Sequence, residues 1–370
     1  MYSVFAMQSY YSKRSPGDDN MAKATLRITQ YDTVHFDTNV NPLGIPETVR
    51  TALANNISSV YNYPESYYNN LRTAISEYTG TPDDRLILGS GSVDLIKQLT
   101  ALITPKKALV IVPGSMGYER VLKAYGCEIE YYHLDESLDY ELDLVDFLGK
   151  LDSSFDMLII GNPNNPTSKK MERSEIEEIA KACDSKGIFL IVDEMYIEFI
   201  DNESDYTAIP LTEKYHKMTV LRSVTKFFAV PGLRMAYAIM NNPELQKTAR
   251  MASSESGISS LTAIACSVMF RDKNYIEESK SMMHTERSLV YLAMSTCKTI
   301  KLIRPDANFM LMKILKDDIT ASDVYEHCKQ RGVIIRKCDD ITGLSNKYIR
   351  FCFMNPKQND LMVNTILEIV

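Results

Sequence analysis

From about residue 84 to residue 240, short apolar runs alternate with stretches of helical spacing, and this alternation limits the possible folds more than any other feature of the chain. The strand candidates are Ala108 to Val112, Glu128 to Tyr132, Met157 to Ile160, Ile188 to Val192, Thr219 to Arg222 and Met235 to Met240. Strands that alternate with helices predict an α/β fold, a mostly parallel sheet covered by helices. Helical spacing is plain in Glu172 to Lys186, through Ile176, Ile179, Ala180 and Cys183, and again in Asn274 to Met294. The C-terminal part is mixed, with strands near Phe309 to Ile314, Val333 to Ile335 and Tyr348 to Phe353 and helices over Ala321 to Arg331 and Gln358 to Ile369. A second, smaller α+β domain is expected there.

Chemistry-bearing residues cluster at the ends of these strands. Ser223-Val-Thr225-Lys226-Phe-Phe-Ala-Val-Pro-Gly-Leu-Arg234 gathers an amine, two hydroxyls and a guanidinium within twelve residues. A lysine can form a Schiff base with a phosphorylated aldehyde such as pyridoxal 5'-phosphate (PLP), while Ser223, Thr225 and Arg234 can hold its phosphate. A surface lysine in a loop is the competing explanation. Asp193 ends the apolar run Ile188 to Val192, at the carboxyl edge where open α/β sheets bind ligands. A buried carboxylate beside a pyridine nitrogen keeps that nitrogen protonated, so the ring acts as an electron sink; a solvated loop acid or helix cap is the alternative. Gly89-Ser-Gly91-Ser92-Val93 follows Leu86 to Leu88 and precedes a helical pattern, so backbone N–H groups there can cradle a phosphate, although such a run also suits a plain tight turn.

In combination, Asn165-Pro-Thr167, Asp193-x-x-Tyr196, Ser223-x-x-Lys226 and Arg234 resemble the class I/II aminotransferase superfamily of fold type I PLP enzymes, with the similarity running from about Asn39 to about Arg350. The resemblance implies a large PLP-binding domain over 46–250, a small domain over 251–370, and an N-terminal segment, 1–45, that joins the small domain. It makes Lys226 the Schiff-base lysine, Asp193 the pyridine-nitrogen partner, and Asn165 and Tyr196 donors to the cofactor's phenolic oxygen. Gly91, Ser92 and Val93 join Ser223, Thr225 and Arg234 around the phosphate. Tyr118 is expected to stack on the pyridine ring. Tyr63 resembles a residue that reaches the cofactor of the neighbouring subunit, which implies a homodimer. One departure is visible: Ser168 follows Asn-Pro-Thr where the family usually has Gly, which makes the turn less permissive without removing a chemical group.

Within the superfamily the chain is similar to the subgroup of histidinol-phosphate aminotransferase and threonine-phosphate decarboxylase, on Asn39-Val-Asn-Pro-Leu-Gly44, Tyr61-Asn-Tyr63-Pro64, Pro113-Gly-Ser-Met-Gly-Tyr118 and Ile335-Arg336-Lys-Cys338. Thr225-Lys-Phe-Phe-Ala-Val-Pro-Gly-Leu-Arg234 and Arg336-Lys-Cys338 lean to the decarboxylase, acting on O-phospho-L-threonine or O-phospho-L-serine. Residues 1 to 38 lack the subgroup's usual His-Gly-Gly segment, and an aminotransferase is the alternative. Arg350 is implied as the clamp for the substrate α-carboxylate. Arg336 is a second anion contact or else pairs with Asp339 or Asp340, and Asn39 is a polar contact at the substrate end or a turn former.

The remaining composition narrows the partners. A net charge of -7 with no Lys/Arg-rich run argues against a nucleic-acid surface. Five scattered histidines give no metal site, and no apolar run reaches membrane-spanning length. Seven cysteines, odd in number and in apolar contexts, predict reduced core thiols and a cytoplasmic location. Met1 to Pro16 makes a poor signal peptide, and the first 20 residues are expected to be poorly ordered.

Overall fold

The computed structural model describes residues 33–252 and 257–370; the expectations for the first 20 residues and for most of the segment 1–45 lie outside them. Five of the six sequence-expected strands are buried on both faces or nearly so. They are β3 (Lys107–Val112), β5 (Met157–Gly161), β6 (Phe189–Asp193), β7 (Met218–Ser223) and β8 (Ala236–Met240). Burial on both sides is why they read as continuous apolar runs rather than as alternating ones. The sixth, β4 (Glu128–His133), lies at the sheet edge, and its Glu128 and Glu130 face solvent.

With β2 (Leu86–Gly89) these strands form a seven-stranded sheet in the order β2-β8-β7-β6-β5-β3-β4, in which β8 alone runs against its neighbours. Two cores sit on its opposite faces, as the period-two alternation of side chains requires. Ile159 and Ile191 pack with Leu95, Leu99 and Leu122 of the helices Ser92–Ile103 and Met116–Ala124. On the other face Leu158, Leu190 and Val192 pack with Phe147 and with Ile176, Ile179, Ala180 and Cys183. Those last four lie on the helix Arg173–Lys186, which is entered through a Glu172 N–H to Glu175 carboxylate bond of 2.7 Å and closed by Gly187 at φ 81°. Each such fully buried aliphatic side chain contributes roughly 1.5–3 kcal/mol.

A four-stranded antiparallel sheet follows, ordered β12 (Arg336–Lys337), β13 (Tyr348–Cys352), β10 (Phe309–Ile314) and β9 (Ile300–Leu302). The single strand expected at Val333 to Ile335 is divided. β11 (Val333–Ile334) pairs in parallel with β1 (Val34–His35), and after the buried Ile335 the chain changes partner to β13. The last helix begins at Pro356, two residues before the expected Gln358, because Asn355 caps it by accepting the Gln358 N–H at 3.1 Å and proline suits the first helical position. A large apolar cluster joins Met310, Met312, Ile349 and Phe351 of the small sheet to Leu86, Leu88 and Tyr237 of the large one. All seven cysteines are free, six of them buried. Among the described residues no helix is long and apolar enough to cross a membrane.

The winding reverses between β3 and β5: the chain steps outward to β4, then crosses back to lay down β5, β6 and β7 on the other side of β3. Such a reversal opens a crevice at the carboxyl ends of the strands.

Candidate active site

Three parallel strands deliver the site. β5 ends in the Asn162 to Thr167 turn, β6 in Asp193 and β7 in Ser223, one strand apart from each other. The β5 turn is pinned internally: the Asn164 side chain donates to the Pro113 carbonyl at 3.0 Å and to the Thr167 hydroxyl at 2.9 Å. Ser168 takes φ 64°, the left-handed conformation that glycine adopts more easily, and is fully buried. Its hydroxyl accepts the Ala307 N–H at 2.9 Å, and its carbonyl the Asp306 N–H at 3.1 Å. The side chain therefore does add a group here, one that ties the turn to the segment entering β10.

Asp193 is buried, and its carboxylate accepts the Tyr118 hydroxyl at 2.8 Å and the Met195 N–H at 3.0 Å. Burial raises its pKa to about 6, against the pull of those two donors. Tyr118 stands beside Asp193 through its hydroxyl. Tyr196 lies edge-on to Phe309 at 4.8 Å, and its hydroxyl receives the Asn39 amide at 3.4 Å. Arg350, on β13, donates to the Asn165 side-chain oxygen at 2.6 Å and to the Asp37 carbonyl at 2.7 Å, with its guanidinium over the Phe309 ring. Asn39, Asn165, Tyr196 and Arg350 therefore form one constellation drawn from four separated parts of the chain.

Lys226 is half-buried and its Nζ donates to the Thr38 carbonyl at 2.7 Å. Its pKa falls to about 8, first through burial and then through the positive charges of Arg350 and Arg234. Ser223 and Thr225 share a hydroxyl–hydroxyl bond of 2.9 Å. Gly91 caps the helix that begins with Ser92 and Val93, at φ 99°, and a Cβ placed on it would lie 2.6 Å from an Arg234 nitrogen. That proximity brings the glycine turn and the Lys226 segment into one cradle: a helix N-terminus, a guanidinium and two hydroxyls. Such a donor set fits a phosphorylated cofactor. At the other end, Arg350 Nε and Asn39 Oδ1 are buried without a hydrogen-bond partner, as expected of groups that face a bound molecule.

Of the two carboxylates named as its alternatives, Arg336 pairs with Asp340, to which it donates at 2.7 Å on both oxygens, leaving Asp339 aside. Tyr63 is 94 % exposed and stands apart from the constellation. Sequence reasoning missed Thr38, which acts through its backbone, and Asn41, whose amide donates to the Phe227 carbonyl at 2.8 Å while its N–H donates to the Lys226 carbonyl at 3.0 Å. Asn41 lies inside the quoted Asn39-Val-Asn-Pro motif, so its signal was present. Asn308, which donates to the Asn39 carbonyl at 2.9 Å, carried none.

The chain belongs to the class I and II aminotransferase family, whose model matches residues 31–366. It is 29% identical over 355 residues to a threonine-phosphate decarboxylase of Salmonella typhimurium, covering 96% of each chain. It is 25% identical to a histidinol-phosphate aminotransferase of Methanococcus aeolicus, over 93% of this chain and 91% of the other. The fold is that of the crystal structure of the histidinol-phosphate aminotransferase from Clostridium acetobutylicum, with a TM-score of 0.84 and 28% identity over 91% of this chain and 98% of that one. It is thus a fold type I α/β enzyme fold.

Proposed function

We propose that the protein is a PLP-dependent enzyme acting on a small phosphorylated amino acid, and that it decarboxylates O-phospho-L-threonine or O-phospho-L-serine to an amine phosphate. The observation that carries the cofactor reading is the convergence of Lys226, Asp193, Tyr196, Asn165 and Arg234 with the Gly91 to Val93 helix start at one strand edge. PLP supplies an electron sink at the α-carbon of the amino acid. Lys226 Nζ holds the cofactor aldehyde and then serves as the base or acid at Cα. Asp193 keeps a proton on the pyridine nitrogen, with Tyr118 fixing the carboxylate and lying against the ring. Asn165 and Tyr196 donate to the phenolic oxygen. Gly91, Ser92, Val93, Ser223, Thr225 and Arg234 bind the phosphate.

Arg350 pairs with the substrate α-carboxylate through the guanidinium edge that carries its unpartnered Nε. Asn39 borders the same space, and Arg336 is the second anion contact once its pairing with Asp340 opens. In the decarboxylase reading Lys226 Nζ delivers a proton to Cα after CO2 leaves. The second reading is an aminotransferase of the histidinol-phosphate type, in which Lys226 Nζ removes the Cα proton instead. The similarity to both kinds of relative favours keeping it, and the Salmonella decarboxylase's near-complete coverage favours the first.

The large domain is taken as 46–250 and the small as 251–370, because the seven-stranded sheet lies wholly within the first and the four-stranded sheet within the second. The pairing of β1 with β11 supports an N-terminal segment, 1–45, that joins the small domain. We further take the protein to be a cytoplasmic homodimer in which Tyr63 completes the partner's phosphate site. Its neighbours Ile57, Val60 and Tyr61 are also strongly exposed, an apolar surface suited to a second copy.

The deciding experiment supplies the PLP-loaded protein with O-phospho-L-threonine, O-phospho-L-serine or histidinol phosphate, without and then with 2-oxoglutarate. Release of CO2 and an amine phosphate over many turnovers with no keto acid is the expected result. Stoichiometric conversion of the cofactor to its pyridoxamine form, with turnover only on adding the keto acid, selects the aminotransferase.

A further inference from the structure

Beneath the loop that carries Asp193 and Tyr196 lies an ion cluster that the proposed chemistry does not use. Arg222, on β7, is 3 % exposed. Its Nε donates to Glu194 at 2.8 Å, one Nη to the Thr207 hydroxyl at 3.0 Å and the other to Glu198 at 3.4 Å. Glu194 is fully buried and also accepts the Thr207 hydroxyl at 2.8 Å and the Ala208 N–H at 2.6 Å. After β6 the chain makes a short 3-10 turn, Ile197–Phe199, closed by the bonds Ile197 N–H to the Glu194 carbonyl and Phe199 N–H to the Tyr196 carbonyl, and held besides by the Glu194 N–H on the Leu221 carbonyl at 2.9 Å and by Arg287 on the Phe199 carbonyl at 2.9 Å.

Glu194 follows Asp193 directly and Glu198 lies two residues beyond Tyr196, so one guanidinium grips the turn just after Asp193 and again just beyond Tyr196. We infer that Arg222 is a positioning residue, which staples Glu194 and Glu198 to the sheet and so fixes where the Asp193 carboxylate and the Tyr196 hydroxyl stand. The inference rests on the PLP reading above, because its readout is the bound cofactor. A lysine cannot reproduce the arrangement, since it lacks the planar fork that reaches three acceptors in three directions. The charge count agrees with a built cluster. Two buried carboxylates face one guanidinium, and burial, with Glu203 nearby, pushes the Glu198 pKa up to about 7, toward its neutral form.

The test compares the wild type with Arg222→Lys, Thr207→Val and a remote core change, Phe147→Leu, at a ring that packs against Tyr132 of the edge strand β4, four strands from β7. For each, thermal stability is measured on the apoprotein, and the visible absorbance of the PLP-loaded protein is titrated against pH. If Arg222 positions the donors to the cofactor, Arg222→Lys shifts the titration midpoint by about one pH unit, the effect of losing a hydrogen bond made to one protonation state. Thr207→Val, which keeps every charge and is expected to fold even where Arg222→Lys is not, shifts it less and in the same direction. Phe147→Leu lowers stability and leaves the midpoint in place. A wild-type midpoint in Arg222→Lys, or in Thr207→Val should Arg222→Lys not fold, overturns the inference, as does an equal shift in Phe147→Leu. A wild-type protein that forms no lysine-bound chromophore overturns the PLP reading itself, and this inference with it.

Discussion

Two titrations distinguish the site at the scale of single residues. Burial holds Asp193 at about 6, above its ordinary 3.8, so the folded apoprotein binds more protons than the unfolded chain between those values. Stability from this residue is therefore full below pH 4 and falls as pH rises through about 6. Asp193→Asn should stabilise the apoprotein relative to wild type by up to about 3 kcal/mol at pH 7 and by little at pH 4, measured by urea unfolding. The same variant should keep the lysine-bound chromophore and lose most turnover, because the pyridine proton is no longer held. Lys226 titrates near pH 8, so the rate at which the apoprotein captures PLP should climb through that pH and then level, whereas an ordinary lysine would still be climbing at pH 10. Arg350→Ala should weaken substrate binding by roughly 2–5 kcal/mol while PLP affinity changes little, and equal losses in both would remove it from the carboxylate role.

Elements impose their own constraints, seen best at two turns. Gly91 both opens a helix at positive φ and passes against Arg234. Gly91→Ala should displace the guanidinium and weaken PLP binding at least tenfold in an equilibrium titration, a cost of about 1.4 kcal/mol or more. Ser168 is the converse case, a side chain where the backbone would prefer none. Ser168→Ala keeps the strained φ and leaves the buried Ala307 N–H without its acceptor, for a loss of about 1–3 kcal/mol in chemical denaturation. Ser168→Gly, which relieves the strain while losing the same bond, should cost less; the reverse order would show that the positive φ carries no strain.

For the whole molecule the open surface at Ile57, Val60, Tyr61 and Tyr63 is decisive. Val60→Asp with Tyr61→Asp should convert a dimer to monomers in sedimentation and weaken PLP retention, because Tyr63 no longer meets a neighbouring site. Monomers in the unmodified protein would remove the shared-site reading.

Five of the strands were legible because burial on both faces leaves short apolar runs bounded by turn residues, and Lys226, Asp193 and Asn165 were legible because each lies at or a few residues beyond the end of such a run. Local sequence also set the caps at Asn355, Glu172 and Gly187. The sequence did not show that Thr38 receives the Lys226 amine through its backbone, that Arg336 turns to Asp340 rather than Asp339, or that Val333 to Ile335 splits between two sheets. Nor did it show Arg222 joined to Glu194 and Glu198. Those are choices among partners distant in sequence, or among equivalent neighbours. They are made only when the folded chain fixes which donors and acceptors are buried together, since a buried polar group must find whatever partner the packing brings within reach.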